Sequence, residues 1–120
     1  MTLSVQAQAS PITSKLVVET AAGATPDNNV LGAAGSIYQI DVDNAANAAA
    51  SYLKLYDAAA PTVGTTAPDA VLRVPAGQRR QWVIPEGWAF TILSFACVTA
   101  GGTTGVTAPT HPVVVRLTCL

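Results

Sequence analysis

The stretch "SIYQIDVDNAANAAASYLKLYD", residues 36 to 57, decides how the rest of this chain is read. Tyr38, Ile40 and Val42 form an apolar face at the period of a β-strand, while Ile37, Gln39, Asp41 and Asp43 between them do not all share one character. Residues 52 to 57, "YLKLYD", form a second strand with apolar bodies at almost every position. Between the two, "NAANAAASY" is the nearest approach to a helix in the chain, because Ala is a strong helix former. It has two Asn and no apolar stripe, so it reads as a loop leading into the next strand.

Strand signals recur outward from there. "TLSVQAQ" and "SKLVVETA" precede the central stretch, and "AVLRVP", "RQWVIP", "WAFTILSFACVTA" and "HPVVVRLTCL" follow it. Runs rich in Gly, Pro, Asn and Thr separate them, among them "TPDNN", "GAAGS", "PAGQ" and "AGGTTGVTAPTHP". Eight or nine short strands with little or no helix imply an all-β, antiparallel β-sandwich of jelly-roll-like type. Residues 15–120 form the sandwich domain, and residues 1–14 are an N-terminal arm or edge strand, with Pro11 as the break between the two. "PEGW", residues 85–88, has the chemistry of a tight turn and is expected to join two strands as a hairpin flanked by Trp82 and Trp88. The alternation in "AFTILSF" points Phe90 and Ile92 into the core.

Composition narrows the function. Of the 120 residues, 50 % are apolar and only 11 % charged, against about 25 % charged in ordinary globular proteins. Much of the apolar share is Ala, while Val and Ile point to sheet. A net charge of −1 leaves no basic footprint for nucleic acid, and Arg79–Arg80 reads as a solvated turn. No apolar run is long enough to span a membrane. The N-terminal "MTLSVQAQAS" lacks the basic residue and apolar core of a signal peptide, which implies a cytosolic origin. Cys97 and Cys119 are then reduced thiols buried in apolar strands.

Motifs for chemistry are missing. The single histidine, His111, lies in a Pro-rich loop with no HxxxH or CxxC spacing beside it. No GxSxG elbow accompanies it. Asp41 and Asp43 share one strand face, and a pair of glycosidase carboxylates usually comes from different strands, so an exposed polar face is the plainer reading. Asp27, Asn28 and Asn29 lack the further acids of a calcium loop and read as a turn. "GGTTG", residues 101–105, has no following Lys-Ser/Thr and is no phosphate loop. The expectation is a non-enzymatic protein with no catalytic residue, metal or cofactor.

The run "VDNAANAAASYLKLYDAAAPTVGTTAPDAVLRVPAG" followed by "VIPEGWAFTILSFACVTA" resembles small structural proteins of tailed bacteriophages. The resemblance is continuous from Tyr38 to about Thr99 and rests on the order of the motifs. It implies a β-sandwich virion component of the head decoration or cement type, made in the host cytoplasm. Its partners would be the major capsid protein and itself, as a homotrimer at threefold positions of the shell. A tail, baseplate or fibre part is the alternative within that setting. A carbohydrate-binding module, with Tyr56, Trp82 or Trp88 stacking on sugars, is the alternative from another class. The first 30 residues and the tail after Gly101 depart from the pattern, and attachment to a particular virion would vary there.

On this reading "YLKLY" serves the core through one face, and the neutral loop after it lies in a protein interface. The expected partner-binding residues are Leu3, Val5 and Pro11 on the arm, Pro61 and Val63 in the loop, and Trp88. Edge strands would add main-chain hydrogen bonds without needing charge.

Overall fold

The computed structural model describes residues 2–7 and 15–120. Its strands are β1 (Leu3–Ala7), β2 (Lys15–Ala22), β3 (Gly35–Asp43), β4 (Ser51–Asp57), β5 (Ala70–Val74), β6 (Arg79–Phe90), β7 (Leu93–Val98) and β8 (Val113–Cys119). All pairings are antiparallel. One sheet has the order β1-β2-β8-β3-β6 and the other β5-β4-β7. Among the described residues there is no helix, and 44–50 is the loop its Asn content implies.

The strand order is that of a jelly roll, with chain neighbours repeatedly placed in opposite sheets. The segment after β2 supplies a reduced ninth strand. It lies along the free side of β7, where Asp27 and Phe95 exchange two main-chain hydrogen bonds. Cys97 N–H donates to Gly23 O and Val30 N–H to Leu93 O, so this edge of the smaller sheet is closed.

Alternation along β8 is complete: Val113, Val115, Leu117 and Cys119 are buried, and Val114, Arg116 and Thr118 lie on the outer face. Ile37, Ile40 and Val42 of β3 join them, as do Leu53 and Leu55 of β4 and Phe95 and Cys97 of β7. Both cysteines are unpaired and buried in this core.

On β3 it is Ile37, not the expected Tyr38, that shares the buried face with Ile40 and Val42, because the register shifts between Ile37 and Gln39. Four further expectations are corrected. "PEGW" is not a hairpin, because β6 continues through it to Phe90. Ile84, Pro85, Glu86 and Gly87 instead bulge out opposite Tyr38, after which pairing with β3 resumes at Trp88. Gly87 has φ +76°, and a Cβ there would meet the Tyr38 ring at 2.9 Å, so the bulge needs glycine twice over. Second, Phe90 is buried but Ile92 is only half-buried. The chain crosses between sheets at Thr91–Ile92, and the alternation restarts with Leu93 fully inside. Third, Arg79 and Arg80 begin β6 rather than occupying a turn. Fourth, β4 is covered on both faces: Leu53, Lys54, Leu55 and Tyr56 are all buried.

Candidate functional site

The loops at one end of the sandwich are tied together by Asn44, a fully buried side chain. Its Nδ2 donates to the carbonyls of Ala49 (3.0 Å) and Pro75 (3.1 Å). Its Oδ1 accepts from Ser51 Oγ at 2.8 Å and from Asn47 Nδ2 at 2.9 Å. Asn47 then clamps the main chain of His111 at both ends, accepting from its N–H at 2.8 Å and donating to its carbonyl at 3.0 Å. A cleft of about 240 Å³ opens beside this knot. Ala46, Ala48, Ala49, Thr99, Pro109 and Thr110 form much of its wall. Its polar members Asn47 and Ser51 are already committed to the knot; the exposed side chain of His111, whose main chain Asn47 holds, is the one ionisable group in this wall, and the rest are small neutral residues.

A second cleft, of about 300 Å³, lies between β2 and the closing segment, with Glu19 and Asp27 in its wall beside Thr2 and Thr25. Both carboxyls are buried, at 2 % and 7 % exposure. Burial pushes Asp27 up to about 7, and a hydrogen bond to Glu19 and that residue's negative charge push the same way. Glu19 Oε1 also accepts from Ala21 N–H at 3.0 Å. The two carboxyls thus face each other between β2 and the closing segment. Asp27 was expected in a turn and is instead built into the sandwich, bridged to Phe95. Sequence reading passed over Glu19; the alternation of "LVVET" places it on the inner face with Val17, and that was the signal.

Asp41 also proves buried, at 6 % exposure, rather than part of an exposed polar face. Arg79 ion-pairs with it through Nη2 and Nε, and Gln81 Nε2 donates to it at 3.2 Å. The Arg79 hydrogen bond holds its carboxyl below the usual range. Asp43 does something different, accepting from Ala45 N–H at 3.0 Å to cap the following loop. The described residues contain no group of three or more His, Cys, Asp or Glu able to hold a metal.

On the outer face of the smaller sheet, Lys54 Nζ donates to Gly105 O at 2.9 Å and Thr103 O at 3.4 Å. Burial lowers its pKa. The loop 99–112 therefore covers the strand that was expected to expose one face. Tyr56 lies on the same face with a buried hydroxyl that has no hydrogen-bond partner among the described residues. Its ring is fully buried and cannot stack on a sugar.

The expected partner residues scatter. Leu3 and Trp88 are partly buried against the core, Val63 is half-buried, and Val5 is exposed at 40 %. Pro61 is buried within its own chain and offers no surface. Pro11 lies outside the described residues. Leu3 and Val5 belong to β1, whose partner is β2 of the same chain, so residues 3–7 are the edge strand rather than a detached arm. The described members thus sit on three separate parts of the chain: β1, the loop after β4, and β6.

Among the described residues no helix is long and apolar enough to cross a membrane. The fold and its clefts define an antiparallel jelly-roll domain whose polar side chains are largely engaged in holding loops and sheets together. Comparison with protein-family models, curated proteins and solved structures finds no match.

Proposed function

We propose that this chain is a non-enzymatic structural protein of a phage virion that binds the assembled capsid as a decoration or cement component. The observation that carries this reading is how the polar side chains are used. Asn44, Asn47, Ser51, Lys54 and Asp41 are each engaged in bonds that hold strands or loops in place. What remains in the first cleft is mainly Ala, Thr and Pro with the one ionisable side chain of His111, and the carboxyls of the second cleft, Glu19 and Asp27, are turned toward each other. Such a surface suits contact with other protein better than recognition of a charged substrate. The resemblance of residues 38–99 to phage structural proteins supports the same reading, and jelly rolls are a recurrent architecture of viral shells.

Affinity from many small neutral contacts depends on the array, because several chains engage one lattice together. Co-sedimentation with undecorated capsids, compared with unassembled capsid protein, tests this. Binding only to the assembled shell, retained at about 1 M salt where exposed charges are screened, is the expected result. No binding to capsids, or complete release by salt, would overturn it.

A further inference from the structure

We propose that the free edge of β6 pairs antiparallel with the same edge of a second copy of this chain, through Arg79–Val83, on a twofold axis at Gln81. This goes beyond the capsid reading and does not depend on it.

The main-chain directions follow from the ladder. Asn44 N–H donates to Gln78 O, one step beyond the Asp43–Arg79 pair. Antiparallel ladders alternate, so Arg80 and Trp82 bond to β3, while Arg79, Gln81 and Val83 point their N–H and C=O groups away from it. No other main-chain or side-chain group among the described residues bonds to those outward groups. The corresponding edge of β7 is closed by the segment around Asp27, whereas this one is open.

The register comes from what borders the run. Past Val83 the chain enters the bulge, and Pro85 has no N–H to offer, so regular pairing stops there. An axis at Gln81 pairs Gln81 with itself and Arg79 with Val83, bringing all the outward groups into about six hydrogen bonds. A shift to either side leaves some of them unpaired.

The side chains suit that register. Arg80 and Trp82 share the inward face, because their direct partners on β3 are Val42 and Ile40. In the dimer, Arg80 of each copy stands opposite Trp82 of the other at a close, non-hydrogen-bonded position, where a guanidinium can lie over an indole. Arg79, whose charge is already matched by Asp41, stands opposite Val83 on the other face. Val83 is 70 % exposed, the most exposed of the large apolar side chains among the described residues, and pairing covers it. A contact this short is weak in solution and is strengthened wherever copies are held side by side.

Sedimentation equilibrium of the full chain from about 10 µM to about 1 mM covers the affinity range of so small a contact. The expected result is a monomer–dimer equilibrium. Gln81→Pro removes an N–H that points away from β3 and should weaken the dimer at least about 10-fold. Arg80→Glu, an exposed change that leaves the main chain intact, should weaken it as well. Amide exchange at Arg79, Gln81 and Val83 should slow as concentration rises, a readout that holds even if the proline variant fails to fold. A monomer at about 1 mM would overturn the proposal. So would a trimer, or a dimer indifferent to Arg80→Glu with concentration-independent exchange at those amides. Capsid co-sedimentation is scored separately, so loss of the dimer and loss of the virion reading are distinguishable.

Discussion

The ammonium of Lys54, on a strand in the middle of the smaller sheet, donates to the carbonyl of Gly105 at 2.9 Å. This bond fastens the long loop after β7 across the outer face of that sheet, so β4 is roofed on both sides. Its cost is a buried cation whose partners are neutral carbonyls. Lys54→Ala should therefore destabilise by about 2–4 kcal/mol, through lost packing and the carbonyls left behind. Lys54→Met, which keeps the volume and discards the charge, should stay within about 1.5 kcal/mol of the native protein. Urea melts of both variants check the difference.

Asn44→Ala should be among the most damaging polar substitutions, at about 3 kcal/mol or more. It strands the Ser51 hydroxyl and the Asn47 amide together with the carbonyls of Ala49 and Pro75. Asn44→Asp should do no better, since it turns an acceptor toward those carbonyls. Thermal unfolding gives the size of each loss, and amide exchange at His111 reports whether the Asn47 clamp loosens with it.

Stability should fall as pH rises from about 4 to about 7. Asp27 binds its proton up to about 7 in the folded chain but releases it near 3.8 when unfolded, so the folded state holds the extra proton across that window. Stability is fully present below the unfolded value and is lost as pH rises through the folded one. The slope from this group is at most about 1.4 kcal/mol per pH unit. Asp41 acts in the opposite sense, supporting the fold above 3.8 and withdrawing that support as pH drops below it. Urea melts across the range should show the decline, and Asp27→Asn should flatten it.

At the crossing from β6 to β7, Phe90→Ala should cost about 3–5 kcal/mol and Leu93→Ala about 2–5 kcal/mol, both being buried. Ile92→Ala, at a half-buried position, should cost less than about 1.5 kcal/mol. Equal losses at Ile92 and Leu93 in denaturant melts would show that the sheet switch lies elsewhere.

The shift of register that puts Ile37 inside in place of Tyr38 was not legible in the amino-acid order, whereas the all-β class, the loop at 44–50, the buried thiols and the inward Ile40 and Val42 of β3 were. Each rests on local chemistry: a period of two, Asn in place of an apolar stripe, and β-branched runs between turn residues. The same local reasoning misplaced "PEGW", because Pro-Glu-Gly satisfies a bulge as readily as a hairpin. Only the Tyr38 ring waiting on the neighbouring strand decides between them. It also could not tell that Lys54 and Asp41 would be buried. Whether a polar side chain on an outward position meets water depends on what folds over it, and here a loop some fifty residues away covers Lys54 while Arg79 caps Asp41. Glu19 meeting Asp27 is of the same kind. The sequence alone determined where strands could form; the crossing of the chain between two sheets decided which polar groups would be shut inside, because burial is a property of long-range contacts rather than of neighbours along the chain.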